Sequence, residues 1–212
     1  MIQTLRNATA KCVLPPAVLL AVAVAALCIA LQGAGLVEPL RFDRESIAGG
    51  AWWRLVSGNF VHLGASHLWM NVAGLGLVVA LVWGQFGAVE WAATILFGSL
   101  VVGLGLYTLN PAIGWYVGFS GTLHTLVVAG SIGDLRHYPR SAALLLVLVT
   151  GKLVWEQLAG ALPGSEATAG GRVVVDAHLY GAIAGLIAAP ALLWLRRRRE
   201  ARVAAAAPAA AR

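Results

Sequence analysis

A serine hydroxyl becomes a nucleophile only when a neighbouring base takes its proton, and the charge that then develops on a substrate carbonyl needs fixed hydrogen-bond donors. Three stretches of the sequence hold residues of those types. GFSG, Gly118 to Gly121, places Ser120 at the start of an apolar run. There the free N–H groups and positive dipole end of a helix suit an oxyanion. Gly118 and Gly121 keep side chains away from an approaching peptide. AHLYGAIAG puts His178 just inside the last apolar run, followed by Gly181 and Gly185 at the small-xxx-small spacing that lets two helices approach closely. HLGASHLWMN sets His67 and Asn71 one turn apart on one helix face, with His62 ahead of them. Neutral imidazole and amide N–H groups are suitable oxyanion donors.

Each part has a plainer meaning taken alone. A serine in a membrane helix is commonly a packing residue bonded to a carbonyl, and Thr122 stands where the elbow of an α/β-hydrolase has glycine. His124 shares the Ser120 face at i+4, so it is an alternative base, although a supporting role is expected for it. Asp176 does not share a helix face with His178, and the expectation is therefore a dyad without a carboxylate. His62 and His67 fit neither HExxH nor an i, i+4 ligand pair, and no carboxylate or cysteine joins them. Neither a metal nor any other cofactor is expected. Lys152 and Glu156, at i, i+4 within an apolar run, are costly in lipid and are expected to pair within the protein or a cavity.

The elements that must position these residues are spanning helices. Hydrophobic residues make up 59% of the 212-residue chain and charged ones 11%, outside the range of an ordinary soluble domain. Six apolar segments can be drawn: Val13 to Leu36, Ser66 to Trp83, Trp91 to Leu109, Ser120 to Ile132, Ala142 to Ala161 and Ala177 to Leu195. The predicted class is all-α, a polytopic six-helix membrane bundle over residues 13–195, preceded by a short N-terminus, 1–12, and followed by a basic, disordered tail, 196–212. The first run is longer than a usual signal core, so an uncleaved span is expected. Cys12 and Cys28, about 24 Å apart along a helix, cannot form a disulfide.

The net charge of +6 sits in clusters between apolar runs and reads as topology; no nucleic-acid platform is visible. With Arg6, Lys11, Arg136, Arg140 and the run Arg196 to Arg199 on one side, charge bias places both termini in the cytoplasm. The fourth segment reaches only about 20 Å against a hydrocarbon core of about 30 Å. Its Ser120 end should lie below the membrane surface, in a pocket open to water on the far side from the termini.

WWR at Trp52 to Arg54, His62 with His67 and Asn71 at their spacing, GFSG, and AH with GxxxG together resemble the rhomboid intramembrane serine proteases, in that family's chain order. The resemblance implies Ser120 as nucleophile, His178 as base, His67, Asn71 and the Ser120 N–H around the oxyanion, and Gly118 and Gly121 as glycines that shape the site. Many rhomboids carry, one turn after the serine, an aromatic that stacks on the catalytic histidine; here that residue is His124. GFSGTLH and the short chain are similar to the rhombosortase subfamily, although Thr125 stands where that group is expected to have glycine. Rhombosortases are associated with trimming proteins that end in a Gly-Gly motif, a helix and a basic tip in bacteria with an outer membrane. The substrates implied are membrane-anchored proteins with a C-terminal transmembrane tail, cut at the periplasmic side of the inner membrane. The alternative is an inactive rhomboid-like protein that binds membrane clients.

Overall fold

The computed structural model describes residues 14–206; Arg6, Lys11 and Cys12 lie outside the described residues, as do positions 207–212. Of the described residues, 77% are helical. In order it forms α1 (Pro16–Gly33), α2 (Val37–Leu40), α3 (Arg44–Ala48), α4 (Arg54–Ser57), α5 (Ala65–Val82), α6 (Ala88–Leu109), α7 (Ser120–Asp134), α8 (Pro139–Ala159), α9 (Ser165–Ala169) and α10 (Val175–Ala206). Five of these, α1, α5, α6, α8 and α10, are long and apolar enough to cross a membrane. The all-α polytopic bundle expected from the apolar runs is the architecture observed.

The fourth run is the short α7 of 15 residues, about 22 Å long. It sits at the centre, packed against α5, α6, α8 and α10, and most of its residues are buried. By contrast α1 fully buries only Ala21, Val24 and Cys28, and Leu19, Val22, Leu27 and Ile29 on its other side are exposed. Leu77, Val147, Leu158 and Leu186 on other helices are likewise exposed. Outward leucine and valine on every long helix is the pattern of a protein whose solvent is hydrocarbon.

Two packing features hold α7 in place. Along the α7–α10 seam a Cβ at Gly181 would lie 1.9 Å from the Gly121 carbonyl oxygen, and one at Gly185 would lie 2.7 Å from that of Thr125. Backbone therefore meets backbone, which only glycine permits. On the opposite side Thr125, fully buried, occupies space left by Gly98, where a Cβ would be 2.4 Å from the threonine Oγ1. The extra bulk of Thr125 is thus accommodated by a glycine on α6.

The long connection between α1 and α5 is folded as well. Phe42–Asp43 (β1) pairs antiparallel with Trp115–Tyr116 (β2), joining this connection to the segment that leads into α7. The Arg44 guanidinium donates to the carbonyls of Leu106, Tyr107, Asn110 and Ile113 at 2.7 to 3.0 Å. These include carbonyls left free where α6 ends, so one side chain caps that helix and fixes the approach to Ser120. Asp43 caps α3, accepting from Ser46 N at 3.0 Å and from the Ser46 hydroxyl at 2.7 Å.

One expectation is corrected. The basic run placed in a disordered tail is helical, since α10 continues through Arg196 to Ala206. Arginine and alanine are strong helix formers, and the Arg198 guanidinium rests over the Trp194 ring at 3.8 Å.

Candidate active site

α7 starts at Ser120 with no N-cap side chain bonded to its first turn, whose N–H groups have no carbonyl partner within the helix. Gly118, at φ +123°, turns the chain into the helix in a conformation that disfavours any side chain. Across the glycine seam, Ser120 Oγ lies 2.9 Å from His178 Nε2. Both residues line a cavity of about 260 Å³ with His67, Asn71, His124 and Tyr116. Of the residues expected at the site, Ser120, His178, His67, Asn71 and His124 line this cavity, whereas Gly118 turns the chain into α7 and Gly121 lies in the seam against α10.

Hydrogen bonds fix how several of these groups present themselves. Leu63 N donates to His67 Nδ1 at 3.4 Å, which leaves the proton of a neutral ring on Nε2. A Cβ at Gly118 would lie 2.9 Å from that Nε2, so the donor edge of His67 borders the turn into Ser120. Asn71 Nδ2 donates to His67 O at 2.9 Å, and an amide nitrogen has a second proton to offer. His124 Nδ1 is 2.7 Å from the Ser120 carbonyl oxygen, which can only accept. The His124 ring stacks on His178, centroids 4.5 Å apart and planes at 21°. His124 therefore takes the stacking position, and its Nδ1 is engaged away from the serine hydroxyl.

Two buried groups outside the spans frame the cavity. Burial pushes the Tyr116 phenol up, so it stays protonated and donates to Gly118 O at 2.6 Å. His62 is 0% exposed, meets the His67 ring edge-on at 5.1 Å, and is pushed down to about 3 by burial.

The expectation of a dyad without a carboxylate is not met. Glu156, 3% exposed, brings Oε2 to 2.9 Å and Oε1 to 3.0 Å from His178 Nδ1. Lys152 Nζ is 2.6 Å from Glu156 Oε1 and 3.2 Å from His178 Nδ1. The pairing expected of Lys152 and Glu156 is present, but it is directed at the histidine. Asp176 points elsewhere, accepting from Asn110 Nδ2 at 2.8 Å. The i, i+4 charge pair inside an apolar run was the available signal for Glu156. What it lacked was the rotation of α8, which no sequence spacing gives.

His124, Glu156 and His178 also bring potential ligand atoms within 4.8 Å of one another. Both His178 nitrogens are engaged, Nε2 by Ser120 and Nδ1 by Glu156, Glu156 is also paired with Lys152, and the ammonium beside them repels a cation. Lys152, Glu156, His178 and Ser120 form a hydrogen-bond chain that ends on the serine, with His124 stacked beside it.

The molecule is thus a polytopic helical bundle in which a serine and a histidine meet at the start of the short central helix. Residues 49–195 match the rhomboid domain, and the chain belongs to the rhomboid family of intramembrane proteases. No curated protein matches the sequence.

Proposed function

We propose that this rhomboid is an active serine endopeptidase that cleaves membrane-anchored proteins beside a transmembrane segment. The observation that carries the reading is the 2.9 Å contact between Ser120 Oγ and His178 Nε2 at the uncapped start of α7. A substrate helix enters from the bilayer and unwinds at the cavity. Ser120 Oγ attacks the scissile carbonyl while His178 Nε2 takes its proton, and the oxyanion is met by His67 Nε2–H, Asn71 Nδ2–H and the Ser120 N–H. The C–N bond breaks as His178 returns the proton to the leaving amine. Water then adds to the acyl-enzyme through the same histidine, releasing the acid and restoring the serine. The chemistry calls for no cofactor.

The finer reading is a rhombosortase that removes a C-terminal tail made of a Gly-Gly junction, an apolar helix and a basic tip. Glycine at the junction lowers helix propensity and leaves the carbonyl unhindered, which suits a nucleophile set at a crowded helix end. Positive-inside bias favours both termini in the cytoplasm of a bacterial inner membrane, with the cavity open to the periplasm. Trp52 and Trp53, 59% and 60% exposed beside the cavity end, suit the interface on that side.

The test is co-expression with a periplasmic reporter carrying such a tail. Wild type should release the reporter at the Gly-Gly junction and Ser120→Ala should leave it anchored. Equal release by both would remove the protease reading. Equal cleavage of a reporter with Leu-Leu at the junction would remove only the tail specificity.

A further inference from the structure

We infer that Glu156, held by Lys152, sets the tautomer of His178 and makes the relay a Ser-His-Glu triad; the inference rests on the reading of Ser120 as nucleophile. A neutral imidazole carries one proton, on Nδ1 or on Nε2. To take a proton from Ser120, His178 must hold its own on Nδ1. The two partners of Nδ1 ask for opposite forms: a carboxylate only accepts, whereas an ammonium only donates.

Distances decide between them. Both Glu156 oxygens lie within 3.0 Å of Nδ1, while Lys152 Nζ is nearer the carboxylate, at 2.6 Å, than the imidazole, at 3.2 Å. The shorter bond of the ammonium goes to Glu156, and the two carboxylate oxygens, closer to Nδ1 than Nζ is, favour an Nδ1–H that points at them. Nε2 is then free for the serine. Lys152 has a second effect. A buried carboxylate with no counter-charge would favour a protonated imidazole, which has no lone pair for the serine proton; the ammonium offsets that pull. When imidazolium forms during the reaction, Glu156 is already in place to stabilise it. Glu156 and Lys152 thus act through His178 and are positioning residues.

The other groups facing His178 do not substitute for them. Ser120 and His124 come from α7 and bond to Nε2 and to the Ser120 carbonyl respectively. His67 of α5 lies across the cavity, and α6 brings Val102 and Leu106 to the cluster around Ala177.

The experiment compares reporter cleavage in proteoliposomes for wild type, Glu156→Gln, Glu156→Asp and Lys152→Met, with melting curves as a folding check. Glu156→Gln, whose amide donates to Nδ1 and selects the wrong tautomer, should lose roughly 10³- to 10⁴-fold in kcat with little change in KM. Glu156→Asp should recover at least about tenfold of that loss, since the carboxylate is kept. Lys152→Met should move the acid limb of the rate profile to higher pH. A histidine Nδ1–H proton resonance at low field should be present in the wild-type protein and absent from Glu156→Gln. Its absence from wild type, or a folded Glu156→Gln within about threefold of wild-type kcat, overturns the inference. Either result, with Ser120→Ala inactive, leaves the nucleophile standing; activity in Ser120→Ala removes both.

Discussion

The seam between α7 and α10 gives the most quantitative prediction. Gly181→Ala introduces a Cβ 1.9 Å from the Gly121 carbonyl oxygen, backbone against backbone, so no side chain can rotate away. Restoring 3.0 Å, the shortest separation that real Cβ atoms show, requires α10 to retreat by about 1.1 Å. His178 lies less than one turn before Gly181 and must move with it. Its Nε2 contact with Ser120 Oγ, now 2.9 Å, opens to about 4 Å, beyond hydrogen-bond range. A displacement of that size costs on the order of 10²-fold in turnover, and overpacking costs about 1–3 kcal/mol of stability. Initial rates of reporter cleavage in proteoliposomes, read beside melting curves, measure both. Gly76→Ala is the control, since an added Cβ there meets nothing within 4 Å, and it should match wild type. Gly181→Ala with unaltered turnover and melting would refute the claim that this seam positions the base.

Other outcomes follow from the connections around the site. Arg44→Ala strands four carbonyls and should cost about 3 kcal/mol, measured by denaturation in detergent; Arg44→Lys, with one point charge for a planar fork, should restore only a small part. The Asp43 carboxyl is held below the usual carboxylate range by hydrogen bonds from the Ser46 backbone and side chain. Its contribution is therefore complete above the unfolded value and lost as pH falls through the lowered one, a limb of the stability curve that Asp43→Asn should flatten. His62 behaves in the same sense, because burial holds it neutral down to about 3 while the unfolded chain binds a proton near 6.5. Stability should decline as pH drops from about 6.5 toward 3, and His62→Gln should make that decline shallower.

Much of this molecule is legible in its sequence, because a bilayer forces long apolar runs and a short one stands out. The run from Ser120 forms a helix as short as the sequence implied, and the glycines at Gly181 and Gly185 indicated which helix would press against it. Ser120, His178, His67, Asn71 and His124 could be named because each sits in a local motif with its own spacing. Glu156 could not be assigned in the same way. Its role depends on how α8 is rotated against α10, a tertiary fact set by packing and invisible in an i, i+4 pair. Arg44 escaped for a related reason, since its partners lie more than sixty positions away. The helical continuation to Ala206 was hidden by low complexity, although its alanine and arginine content favours a helix.

The central claim is that Ser120 is a nucleophile activated by His178. Incubating membranes with a fluorophosphonate and mapping the adduct by mass spectrometry tests it most directly. One modified serine is expected, Ser120, with labelling abolished in Ser120→Ala and strongly reduced in His178→Ala, and only slowed in His124→Ala. An unlabelled Ser120 in folded protein, or labelling that depends on His124 in place of His178, would contradict it.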